Sequence, residues 1–119
     1  MQFTKIGDFL AASRITGPTH SLLQIKVGEG IQDVPICEIL TLKNPCTHEP
    51  LDENMIVSEI LNAVEDWNQR HGSKYVVTHI KYVQNDSKPE TIYGFLASKI
   101  IEHLENGGEF VQGNLPNAL

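Results

Sequence analysis

The chain has 119 residues, 40% of them hydrophobic and 20% charged, with a net charge of −6. That length suits a single domain over residues 1–119 that builds its core without disulfides or a structural metal. The acidic balance argues against nonspecific nucleic-acid binding, whose affinity rests on neutralised phosphates.

No apolar run approaches the ~20 residues of a membrane span. The start, Met1-Gln2-Phe3-Thr4-Lys5, lacks the basic-then-apolar order of a signal peptide, so a cytoplasmic location and no membrane partner are expected. In that compartment the two cysteines, Cys37 and Cys46, read as free thiols. Charge is uneven along the chain. Residues 1–50 carry four Lys/Arg against five Asp/Glu, and residues 51–119 carry five against ten. Most of the acidity therefore falls in the two segments that read as helices.

From Thr4 to Arg14, Ile6, Phe9 and Leu10 with Ala11 and Ala12 recur at helical spacing and predict a short helix. Gly17-Pro18 signals a turn. Ser21, Leu23, Ile25 and Val27 alternate with His20, Leu22, Gln24 and Lys26, which predicts a strand with one buried face, broken by Gly28-Glu29-Gly30. A second strand is expected from about Val34 to Leu42, with Ile36, Leu40 and Leu42 on one parity and Pro35 marking an edge or irregular entry. The prolines at 45 and 50 keep residues 43–51 out of helix and central sheet.

From Asp52 or Asn54 a helix is predicted, with Val57, Ile60, Leu61, Val64 and Trp67 forming its apolar stripe and Gly72 its stop. Tyr75 to Val83 reads as the third strand. Ser87 and Glu90 have the spacing of a capping box, with Pro89 in the first turn. A helix bearing Ile92, Leu96, Ile100 and Leu104 on one stripe follows, ending at Gly107 in a left-handed cap. Glu109 to Gln112 fits a short edge strand, and residues 113–119 read as a frayed tail.

The order (α)-β-β-α-β-α gives an α+β fold, a two-layer sandwich with two long helices on one face of a three- to four-stranded sheet. Placing the more apolar parity of each strand under the helices leaves His20, Gln24, Lys26, His79 and Lys81 on the opposite face. Leu22, Cys37, Ile39, Val77 and Val83 fall there too, enough for an apolar patch of roughly several hundred Å2 that marks a partner surface. A binding protein without catalytic activity, self-associating through this open face, is the leading expectation. Its binding residues are then His20, Gln24, Lys26, Cys37, Val77, His79 and Lys81, with a second copy or another protein as partner.

Catalytic and metal motifs are weak. Cys46-Thr47-His48-Glu49 joins a thiol, an imidazole and a carboxylate, but adjacency in a loop does not orient a base on a nucleophile. Zinc needs a second ligand pair, and neither C-x-x-C nor H-x-x-x-H occurs, so no metal and no cofactor are expected. His20 and His79 share a face by parity and would form a ligand or pH-sensing site if the register paired them. A small enzyme using His20, His79 or Cys46 is accordingly the third reading.

The run Tyr75-Val76-Val77-Thr78-His79-Ile80-Lys81-Tyr82-Val83, then Asp86-Ser87-Lys88-Pro89-Glu90 and Phe95-Leu96-Ala97, resembles the strand–loop–helix at the tip of domain IV of elongation factor G and the related ribosomal-protection factors. Gly17-Pro18-Thr19-His20 and the helix before Gly72 follow in the same order, extending the likeness over about residues 16–106. The resemblance implies a fold similar to the second domain of ribosomal protein S5. It also implies a translation-related, ribosome- or RNA-binding module, with Gly17, Pro18, Thr19, Asn85, Asp86, Ser87 and Lys88 at the contacting tip. Nucleic acid is expected as a partner only under that reading.

Overall fold

The computed structural model describes residues 1–16, 19–40, 51–83 and 89–112, of which residues 15, 16, 19 and 20 by their backbone only. These form β1 (Gln2–Ile6), β2 (Phe9–Thr16), β3 (Thr19–Glu29), β4 (Ile36–Leu40), α1 (Glu53–His71), β5 (Tyr75–Val83), α2 (Thr91–Glu105) and β6 (Val111–Gln112). The strands make one mixed sheet in the order β4-β5-β3-β2-β1-β6. β4 runs parallel to β5 and β6 parallel to β1, and the remaining pairs are antiparallel. The expected α+β class holds. The sheet is larger than the three or four strands expected, and the element order differs at its start.

That difference lies in residues 2–16, a β-hairpin and not a short helix. Ile6 pairs with Phe9 across Gly7-Asp8, and Gly7 has φ 60°, the left-handed position that a tight hairpin requires. Ala11 and Ala12 are both fully buried, and in a strand adjacent residues point to opposite faces. Both faces of β2 are therefore covered, which made a period of two look like a helical cluster.

The core lies between the sheet and the helices. Leu23, Ile25, Ile80, Tyr82 and Ala12 rise from the sheet to meet Ile56, Ile60, Val64 and Trp67 of α1 and Tyr93, Leu96, Ala97, Ile100 and Ile101 of α2. Ile56 takes the buried place expected of Val57, and Leu104 is partly exposed beyond the end of the α2 stripe. Asp52 is the N-cap of α1, its carboxylate accepting from the Met55 amide at 3.3 Å, and Gly72 closes that helix at φ 65°. At the end of α2, Gly108 N–H donates to His103 O at 2.8 Å and Gly107 N–H to Leu104 O at 3.1 Å. This is the Schellman pattern, with Gly107 left-handed at φ 69° as expected.

The expected start of α2 is corrected, while Ser87 of the expected capping box lies outside the described residues. Glu90 is itself the N-cap residue of α2 and makes no side-chain cap there. Its buried carboxylate instead accepts from Asp52 N–H at 2.9 Å, tying the start of α2 to the start of α1. An anion beside the amide end of a helix is favourable, and burial strengthens the charge-assisted bond.

Two side-chain amides cover the first half of β5. Asn68 Nδ2 donates to Tyr75 O at 2.8 Å and its Oδ1 accepts from Tyr75 N–H at 3.1 Å, while Gln32 makes the same double contact with Val77 at 2.8 and 2.9 Å. Each amide replaces one residue of a neighbouring strand. The ladder with β4 begins only at His79.

Candidate functional site

The register lays out the sheet face opposite the helices in rows. One row is Glu38, Lys81, Gln24, Ala11 and Thr4, running across β4, β5, β3, β2 and β1. In the next, Ile36 pairs with His79, His79 with Lys26, and Phe9 with Ile6. Gln24 thus stands on the third strand from one edge, near the middle of the sheet.

β5 and β2 flank β3, and two strand spacings separate them by about 10 Å. Nevertheless Lys81 Nζ on β5 lies 4.4 Å from the centroid of the Phe9 ring on β2, so the two side chains meet above β3. The His79 ring is 6.0 Å from Phe9 on the same side. Lys81 Nζ is also 4.0 Å from Glu38 Oε2, and Lys26 Nζ is 3.9 Å from Asp8 Oδ2. At these separations and exposures the ion pairs contribute little to stability. The cation–π contact is worth more, since the ring and the lysine stem also exclude water.

Beside this bridge Gln24 is 0% exposed, and neither its Nε2 nor its Oε1 has a hydrogen-bond partner. An unpaired buried amide costs on the order of 1–3 kcal/mol, and a methylene chain of the same shape would not carry that cost. Among the described residues this is the buried side chain on the face with both polar atoms unpaired. Its neighbours supply both signs of charge and an aromatic ring.

Of the residues expected on this face, Gln24, Lys26, His79 and Lys81 are there together. Val77 is not. A register shift between Lys26 and Val27 leaves Thr78 as an extra residue in β5, which turns Val77 inward to pair with Val27 and join the core. Cys37 is not on this face either. It pairs with Ile80 and packs against the core, so β4 presents Ile36 outward, where the alternation of an edge strand apolar on both parities had suggested the reverse. Leu22 and Val83 do lie on the outer parity but are buried; Ile39 pairs with Tyr82 and so turns to the helix side with Cys37, and the large apolar groups exposed on the outer parity include Ile36 at 57% and Val111, paired with Thr4, at 62%.

His20 and His79 do not converge. His79 is level with Lys26, and His20 stands six residues away along β3, about 20 Å at strand rise. The His20 side chain, Cys46, His48, Leu42 and the tip residues Gly17, Pro18, Asn85, Asp86, Ser87 and Lys88 lie outside the described residues, as do the side chain of Thr19 and the tail from 113. Among the described residues no group of three His, Cys, Asp or Glu side chains is placed to hold a metal ion.

Cys37 is a poor nucleophile at neutral pH. Burial, followed by the Glu53 carboxylate beside it, pushes its thiol up to about 12, and the thiolate is the reactive species. The same surroundings raise the Tyr82 phenol above its ordinary range, with burial first and Glu53 second; its hydroxyl donates to Glu53 Oε1 at 3.2 Å. A shallow groove of about 340 Å3 between the helices is bordered by Glu59, Asp66, Arg70 and Phe95. Its Asp66 and Arg70 are already paired at 2.8 Å.

Phe9, Asp8, Ile36 and Glu38 are the members of the face that sequence reasoning missed. Phe9 was assigned to a helix. Had Gly7-Asp8 been taken as a hairpin turn, its parity would have placed it outward with Ile6.

Comparison with protein-family models, with curated proteins and with solved structures gives no match to this chain. No helix of the described residues is long and apolar enough to cross a membrane.

Proposed function

We propose that this chain is a small interaction protein without catalytic activity that self-associates through the sheet face opposite its helices. The observation that carries this reading is Gln24, a fully buried amide with both polar atoms unpaired at the centre of that face. Buried polar groups in folded proteins are almost always satisfied, so a surface centred on one that is not favours a partner that completes it. Exposed Ile36 extends the face toward β4. Charge supports the same choice: Lys26 and Lys81 are matched by Asp8 and Glu38, a neutral area on a molecule of net charge −6. Two copies meet there without the repulsion that acidic helical surfaces would impose.

Sedimentation equilibrium tests it. At about 100 µM a dimer of micromolar affinity is nearly complete, and the expected mass is twice that of the chain. Ile36→Glu should shift the protein toward monomer. A monomer throughout the concentration range sinks the reading.

One observation favours the ribosome-binding alternative. Thr16 and Thr19 pair across β2 and β3 three residues beyond the level of Val83, so these three residues stand toward the same end of the sheet. On that reading the protein co-sediments with ribosomes at low salt and loses binding on Lys88→Glu. Absence from the ribosomal pellet at low salt ends it.

A further inference from the structure

The proposed self-association has a specific centre if the face is read atom by atom. A primary carboxamide carries one donor side and one acceptor side, so it is self-complementary under two-fold rotation. Nε2–H of one copy donates to Oε1 of the other, and the reverse bond follows by symmetry. Gln24 is the group on this face that holds both an unpaired donor and an unpaired acceptor, and it stands near the middle of the six-stranded sheet.

We infer that two copies pack sheet to sheet about a two-fold axis lying in the interface, with Gln24 of one chain hydrogen-bonded through its side-chain amide to Gln24 of the other. This inference rests on the self-association proposed above and adds its register and its chemistry.

The bridge above β3 must open for this to happen. Lys81 Nζ sits over the Phe9 ring, and both side chains stand where the second copy would approach Gln24. Their contact is one cation–π pair with a loose ion pair to Glu38, and the dimer parts one such contact per chain while relieving one buried unpaired amide per chain. Facing copies offer Lys81 a second set of carboxylates, Asp8 and Glu38 of the partner. His79 stands beside Phe9 and belongs to the same movable rim. The monomer therefore keeps its amide covered by a detachable pair of side chains, and the dimer exchanges that cover for a symmetric hydrogen-bonded one.

An isologous contact of this kind makes one residue type decisive. Gln24→Met keeps the length of the side chain, removes both unpaired polar atoms and leaves the monomer without its unsatisfied group. The variant should fold at least as well as the wild type, with an unchanged or raised melting temperature, and its dimer dissociation constant should rise at least tenfold in sedimentation equilibrium. Gln24→Leu serves as a second apolar variant and should behave in the same way. In the wild type, the side-chain NH2 resonances of Gln24 in 15N-correlated spectra should move with protein concentration.

The outcomes separate the two claims. A wild type that remains monomeric overturns both the self-association and the amide pair. A wild-type dimer that Gln24→Met and Gln24→Leu leave at full affinity overturns the amide pair and retains self-association through other residues of the face. A dimer lost in both variants while each still melts cooperatively supports the pair.

Discussion

Gly94→Val is expected to lower the unfolding free energy by about 3 kcal/mol, the upper part of the range for overpacking a close contact. Gly94 is buried where α2 crosses α1, and a Cβ built on it would stand 2.9 Å from the Glu59 carbonyl oxygen and 3.3 Å from the carbonyl carbon. These are backbone atoms of α1, so no side chain can turn aside. The helices must separate, and the layer of Ile56, Ile60, Leu96 and Ile100 beneath them loses contact. Gly94→Ala should cost about half as much, because alanine recovers up to about 1 kcal/mol of helix propensity over glycine. Thermal denaturation would register the valine variant as a fall on the order of 10 °C. An unchanged melting temperature for Gly94→Val would mean that the helices are not in contact at this point.

Asn68→Asp is the second large effect. Asn68 donates to Tyr75 O and accepts from Tyr75 N–H, and the substitution keeps the acceptor while turning the donor into a carboxylate oxygen facing a carbonyl. The expected loss at pH 7 is about 2–3 kcal/mol, one hydrogen bond plus the penalty of opposed oxygens. It should depend on pH in a defined direction. The opposed carbonyl and the nearby C-terminal end of α1 disfavour the charged form more than the retained Tyr75 N–H bond favours it, so the aspartate pKa is expected to be raised in the folded state above the unfolded value of about 3.9. Relative to wild type at the same pH, the deficit is then smallest below that unfolded value, where the protonated carboxyl can donate, and it grows as pH rises through the folded pKa. Asn68→Ala should show a deficit of similar size with no such slope. Urea denaturation of the three proteins at several pH values between the acid and neutral ranges distinguishes them, and parallel pH profiles for the aspartate and alanine variants would refute the donor role.

Both substitutions act on joints that a sequence does not display. The period-3.6 stripe of α1 was legible because Ile60, Val64 and Trp67 repeat over a long helix with Asp52 to cap it and Gly72 to end it. β5 was legible to its last residue, since Tyr75 to Val83 is a run of β-branched and aromatic types interrupted only at Lys81. The β1–β2 hairpin was not. Ala11 and Ala12 are buried on opposite faces, and alternation disappears when both faces of a strand are covered. A parity argument also assumes unbroken pairing. The extra residue at Thr78 turned Val77 inward, and no local residue choice announces that shift.

The candidate site divides along the same line. Gln24, Lys26, His79 and Lys81 shared a face by alternation alone, because β3 and the second half of β5 are regular and one parity of each is plainly apolar. That Gln24 is fully buried with its amide unpaired, that Lys81 reaches over β3 to Phe9, and that Cys37 turns toward Glu53 are consequences of strand order and register. By itself the sequence determined the two long helices, the strand at 20–27, which the sheet carries on through the expected break at Gly28-Glu29, the strand at 75–83 and the α+β class, because local periodicity and capping act over a few residues. The tertiary structure decided the sheet order, the parity of β4, the fate of Val77, the separation of His20 from His79 and the burial of Gln24. Each of these depends on which distant strand supplies the neighbouring backbone, and pairing energy is set by the two strands together.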